Sequence, residues 1–286
     1  MSVAETAAPR VEKADELAPA TRAALRDLIL ALADTKRVLG LRYSDKMLGA
    51  PTLEAGIAAS SMAQDEWGHG RLTYALLADF GDDPKGDLEH ARPAAEYRSM
   101  CALDRGFGTW SETVAAGLVL DTALSVQYGA LLDSRYTPLH NRVQKLLDEE
   151  RFHFQYSAGW TRRIATVNEV RGELAAALGG YLPEALRWLG REEAGSTQAL
   201  LAEGIVTQGP DELRARLLRR IAPVLEEIGL AEALGVTRQD GGSWTCDARL
   251  AWDGWNDATR RPANGSLDEE TAARARGDKN RAMRMD

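Results

Sequence analysis

Cysteine is nearly absent: Cys101 and Cys246 are the only two in 286 residues. That is too few for a disulfide framework or a cysteine-ligated zinc site. Two free thiols in a reducing cytoplasm is the plainer expectation than one disulfide. Aromatic residues are sparse at 6%, and no stretch alternates Val, Ile and Thr persuasively, so no sheet is expected. No apolar run approaches the roughly 18 residues of a membrane span. The first twenty residues contain no apolar signal-peptide core, which points to a cytoplasmic protein with no membrane partner. Basic residues are outnumbered, 35 Lys and Arg against 43 Asp and Glu, a net charge of −8. That balance argues against a whole-chain nucleic-acid binder, because phosphate contacts need a basic surface. A local basic patch for a small anion is still allowed.

What is present is helical periodicity. Residues 1–20 are rich in Ala, Glu and Pro and read as a flexible leader. Helical blocks are predicted at 21–48, 52–80, 109–134 and 138–167, with shorter ones near 170–180, 183–203 and 210–234. Gly and Pro fall between these blocks. Thr109 and Glu112 have capping-box spacing at the start of the third. A long irregular connection, Gly81 to Gly108, joins the second and third blocks. Two long helices, a long crossover and two more long helices outline an all-α, ferritin-like four-helix bundle with additional C-terminal helices. The helical domain is expected over 21–235. An irregular tail with Trp244, Trp252 and Trp255 follows over 236–286, too apolar to be left in water, which either packs back on the bundle, the safer expectation, or docks on a second subunit.

Each long block has an apolar seam at steps of three and four, and each seam is interrupted by a polar group. Lys36 interrupts the first, Glu66 and His69 the second, Asp121 the third, Glu150 and His153 the fourth. Burying an unpaired charge costs several kcal/mol, so four coincident interruptions make sense only if they face one another or a metal. Glu66-Trp67-Gly68-His69 and Glu150-Arg151-Phe152-His153 are both Glu-x-x-His. At that spacing both side chains of a helix reach one ion. Two such motifs plus carboxylates from the other helices form the ligand set of di-iron carboxylate proteins. Glu66, His69, Asp121, Glu150 and His153 are therefore the candidate metal ligands. Carboxylate and imidazole donors suit iron, one or two ions, with manganese as an option. A salt-bridge network without metal is the alternative. His90 and His140, in or beside predicted loops, read as surface histidines. Asp34, two residues from Lys36, falls on the far side of its helix.

At Ala33-Asp34-Thr35-Lys36, Met62-Ala63-Gln64-Asp65-Glu66-Trp67-Gly68-His69, Glu96-Tyr97-Arg98, Leu118-Val119-Leu120-Asp121 and Glu149-Glu150-Arg151-Phe152-His153, the chain resembles the phenylacetic acid catabolic family. These are the large subunits of phenylacetyl-CoA epoxidase. The resemblance covers about 30–165 and extends toward 230. It implies one of two kinds of subunit. One carries a di-iron site and, with an electron-transfer reductase, epoxidises the ring of an aromatic acyl-CoA. The other is a homologous partner that has lost the metal. The catalytic pattern has Glu where this chain has Lys36.

Charge arithmetic bears on that departure. Two divalent ions balance four carboxylates, but only Glu66, Asp121 and Glu150 are aligned here. One ion plus a protonated Lys36 also balances them, with Asp121, Glu150, His153 and a shared Glu66 around the ion. The first expectation is thus an oxygen-activating, metal-dependent monooxygenase with a modified site, in which Lys36, Glu66 and Glu150 act on the chemistry. A non-catalytic partner subunit, with Lys36 plugging an emptied site, is the second. Either implies a homo- or hetero-oligomer with a homologous subunit. Tyr43 and Tyr128 lie near the same level as core fillers or pocket residues.

Overall fold

The computed structural model describes residues 9–283. The four long blocks form as helices. α1 spans Pro19–Asp45, with proline in its first turn, where no N–H is needed. α2 spans Leu53–Tyr74 and tightens into a 3₁₀ segment, Ala75–Phe80. Thr52 caps it by accepting a hydrogen bond from the Ala55 N–H. The third block is α3, Trp110–Ala116, a π-helical turn, Gly117–Asp121, and α4, Thr122–Gly129. Thr109 caps it by accepting from the Glu112 N–H at 3.2 Å. The predicted return bond is displaced by one residue, because the Glu112 carboxylate accepts from the Gly108 N–H instead of that of Thr109. α5, Thr137–Ala165, is the fourth.

The connection from α2 to α3 is clamped along α1. Buried Asp34 accepts from Arg92 and from the Arg98 N–H, and Arg42 donates to the Leu103 carbonyl at 3.0 and 2.7 Å. These anchors let the chain cross from one end of the bundle to the other without a helix of its own.

Three expectations are corrected. First, the leader is docked over its described part: Val11 pairs with Tyr136, and Val11, Ala14 and Leu17 are buried. Their apolar side chains supply the reason; residues 1–8 lie outside the described residues. Second, the break expected before Pro183 does not occur. α6 runs Asn168–Trp188 through that proline, with Tyr181, Leu182, Ala185 and Leu186 buried on either side, and burial outweighs one missing backbone bond. α7, Gly195–Ala202, and α8, Pro210–Glu227, follow.

Third, the tail is not wholly irregular. Strands β1, Val236–Arg238, and β2, Trp244–Cys246, pair antiparallel, as do β3, Trp255–Asn256, and β4, Arg261–Pro262. These ladders are too short to show a period-two signal. α9, Glu269–Arg276, closes the tail against α1. Arg42 donates to Thr271 Oγ1, and Leu267, Ala272 and Ala275 join the core. Among the described residues no helix is long and apolar enough to cross a membrane, and both cysteines are free.

Candidate functional site

α1 and α2 pack antiparallel and close. A Cβ on Gly40 would lie 2.6 Å from the Trp67 ring, so glycine is what allows this approach. The contact brings Lys36 opposite Glu66. The π-helical turn supplies Asp121, and α5 supplies Glu150 and His153. A π turn rotates the residues after it relative to a regular helix, a device common at functional sites. At its start a Cβ on Gly117 would collide with Ser157 Oγ and come within 3.2 Å of Tyr43 Oη.

All six polar seam residues converge, and all are buried. Lys36 Nζ lies 2.5 Å from Glu150 Oε1, 2.9 Å from Glu66 Oε1 and 3.3 Å from Asp121 Oδ1. Tyr43 donates to Asp121 Oδ2 at 3.0 Å, and Ser125 to Glu150 Oε2 at 3.0 Å. Each histidine turns its Nδ1 inward. His69 Nδ1 is 3.1 Å from Glu150 Oε1; His153 Nδ1 is 3.1 Å from Asp121 Oδ2 and 3.3 Å from Glu66 Oε1. Each also meets an outer carboxylate of the other helix: His69 Nε2 lies 2.6 Å from Glu149 Oε2, and His153 Nε2 lies 3.3 Å from Asp65 Oδ2.

Asp65, Glu149 and Ser125 escape the sequence reading. The signal for two of them is the doublets Asp65-Glu66 and Glu149-Glu150, in which the outer acid directly precedes the inner one. The pairing is crossed between α2 and α5, which no spacing along one helix reveals. Tyr128 sits at the same level, its hydroxyl 2.8 Å from Thr73 Oγ1. Asp34 is away from the site, as its register predicts. His90 and His140 are outside it too, but they are not free surface side chains. Both are half-buried, and each Nδ1 meets a backbone carbonyl, of Arg276 and Leu132 respectively.

The electrostatics follow from crowding. Burial by itself lowers the affinity of Lys36 for its proton, but Glu150, Glu66 and Asp121 more than reverse this, and the ammonium is held well above its ordinary pKa. Burial likewise opposes a charged His153, yet hydrogen bonds to Asp121 and Glu66 push it to about 12. His69 is raised, against burial, by its bond to Glu150. Asp121 is driven well below the carboxylate range despite burial, chiefly by Lys36 and then by His153. Glu66 goes the other way: burial first, then Asp121, raise it to about 7. Lys36, His69 and His153 thus stand among three inner carboxylates, Glu66, Asp121 and Glu150, and two outer ones, Asp65 and Glu149.

The donor set has the chemistry for one divalent ion. Glu66, Asp121, Glu150 and His153 each offer an atom within 4.8 Å of the others. Glu66 Oε2 is buried without a hydrogen-bond partner, as a spare ligand atom would be. The space among these atoms, however, is that of the Lys36 ammonium. Lys36 stands where a fourth carboxylate would complete a two-ion ligand set, within 3.3 Å of three of these acids.

A model of the phenylacetic acid catabolic protein family matches residues 1–248. Over 147 residues the chain is 28% identical to one of the subunits of the 1,2-phenylacetyl-CoA epoxidase of Escherichia coli (strain K12). That stretch is 50% of this chain and 58% of the relative, so the chain spans little more than half of the relative's length. Matched over most of its length by the family model, the chain belongs to the phenylacetic acid catabolic protein family.

Proposed function

We propose that this chain is a subunit of a phenylacetyl-CoA epoxidase-type complex and that its carboxylate–histidine centre is closed by Lys36 rather than by metal. It would then serve as the partner of a homologous, metal-bearing subunit. The observation that carries this reading is the Lys36 ammonium within 3.3 Å of three buried carboxylates. A retained pair of Glu-x-x-His motifs argues at first for metal. The geometry supports a second use for them, because each histidine bridges an inner and an outer carboxylate and adds positive charge to a crowded core.

The oxygen-activating reading ranks second. It is favoured by the unpartnered Glu66 Oε2 and by the carboxylate behind each imidazole, an arrangement that orients histidine ligands. Iron or manganese held by Glu66, Asp121, Glu150 and His153 would supply the oxygen chemistry. Lys36 would then have to leave the tripod or give up its proton, against the pull of three carboxylates.

Anaerobic titration with Fe(II) separates the two. The partner reading expects no tight site in the wild type and a gain of at least one ion in Lys36→Glu, which restores the fourth carboxylate. One tightly held ion per wild-type chain, lost in His153→Ala and kept in His140→Ala, would overturn it in favour of the oxygenase.

A further inference from the structure

Away from this centre, on the other side of α1, a cavity of about 370 Å³ opens between the crossover and the tail. We propose that it is a binding site for a small phosphate-bearing ligand. The inference does not rest on the function proposed above.

The cavity is walled by arginines from three separate segments: Arg26 of α1, Arg92 and Arg98 of the crossover, and Arg261 of the tail. Each is paired with a carboxylate on its far side, but the pairs do not use up their donors. A guanidinium carries five N–H bonds, and a carboxylate occupies one edge of it. Arg26 gives Nε and Nη2 to Asp82 at 2.7 and 2.6 Å, and its Nη1 makes no hydrogen bond among the described residues but lies 3.9 Å from Asp27 Oδ1. Among the described residues Arg98 uses only Nη1, toward Asp27 and the Ala258 carbonyl, so Nε and Nη2 have no hydrogen bond there. Arg261 gives Nη1 and Nη2 to Asp104 and Nη1 to the Ser99 carbonyl. Its Nε is buried with no partner, in a side chain only 3% exposed. Arg92 alone is saturated.

A second orphan lies beside these. Tyr97 lines the same cavity and is 1% exposed, and among the described residues its hydroxyl has no hydrogen-bond partner. Buried donors without partners are rare, because each forfeits its bonds to water. Arg261 and Tyr97, which carry these two atoms, both line the cavity together with Arg26 and Arg98. Four guanidiniums line the cavity against one carboxylate, Glu96, while their partner acids stand outside its lining, and such a wall is the complement of an oxyanion. Arginine forks favour phosphate geometry.

The size favours a phosphomonoester over the bare ion. Small-molecule sites occupy ~300–1,000 Å³, and Leu30 and Pro262 add apolar wall beyond the arginines. The one opposing carboxylate is Glu96, which also lines the cavity. It is exposed and would turn outward when an anion binds. Because the walls come from the crossover and the tail, an occupant would tie the tail to the bundle.

Isothermal titration of the full chain with inorganic phosphate and with AMP, at constant ionic strength, tests this. Saturable binding is expected in the wild type. It should weaken about tenfold or more in Arg98→Gln, which loses charge-assisted donors, and tighten in Glu96→Gln. AMP binding more tightly than phosphate would identify an organic monoester as the ligand class; equal affinities would identify the free ion. Both outcomes support the oxyanion site. If Arg98→Gln fails to fold, Arg26→Gln and Glu96→Gln carry the comparison. Absence of saturable binding by either probe would overturn the proposal, as would wild-type affinity in both charge variants.

Discussion

Lys36 Nζ sits 2.5 Å from Glu150 Oε1, across the bundle from α1 to α5, with both side chains buried. The pair ties the first and last of the four long helices through their cores. Glu66 and Asp121 complete a tripod of carboxylates about the same nitrogen.

Removing the ammonium alone leaves three carboxylates without their central cation. Lys36→Met is therefore expected to destabilise the fold by about 3–5 kcal/mol, the usual cost of breaking a buried ion pair from one side. Neutralising one acid as well should recover part of that loss, so Lys36→Met/Glu66→Gln is expected to be more stable than Lys36→Met. Urea unfolding of the three proteins measures it. A Lys36→Met variant as stable as the wild type would remove the tripod from the stability of the core.

Stability should depend on pH on three sides. His153, raised to about 12 from 6.5, contributes stability that is fully present below pH 6.5 and lost as pH rises toward 12. Asp121, held below its ordinary value of 3.8, contributes stability present above that value and lost as pH falls through its folded pKa. Glu66, raised from 4.5 to about 7, favours its protonated form in the fold, so its contribution declines as pH rises from 4.5 through 7. Denaturant midpoints at pH 5, 6, 7 and 8 should fall more gently in Glu66→Gln than in the wild type. Parallel profiles would show that Glu66 is not the titrating group.

Gly117→Ala should distort the π turn that presents Asp121. The added Cβ would collide with Ser157 Oγ and crowd Tyr43 Oη. Overpacking of this kind costs about 1–3 kcal/mol. Ser157→Gly removes the clashing group, so the double variant should regain stability over Gly117→Ala. Thermal melts of the single and double variants decide this, and a melt unchanged in Gly117→Ala would contradict the crowding.

Much of the site is legible in the unfolded chain. Lys36, Glu66, His69, Asp121, Glu150 and His153 stand out because each breaks an apolar seam, and a buried charge is too costly to occur without company. Asp65 and Glu149 are not legible. They look like ordinary half-exposed acids until α2 and α5 lie side by side and each reaches the other helix's histidine. Asp34 can be placed off the seam by its register. Its partner Arg92 cannot be named, because the crossover carries no periodicity to fix where its side chains fall.

The four helices, the long crossover and the residue types at the centre are written in the chain itself. Those follow from local rules, the 3.6-residue period and capping chemistry, which act within one segment. Tertiary structure alone decided how the charges pair. The seam alone makes Lys36 company for one metal ion, and only the closed bundle sets its ammonium on all three carboxylates at once. The docking of the tail on α1 was also decided there. Its anchors, Arg42 to Thr271 and Arg261 to Asp104, join residues distant in the chain. Such contacts depend on where the chain returns to itself, and no pattern inside a single segment encodes that.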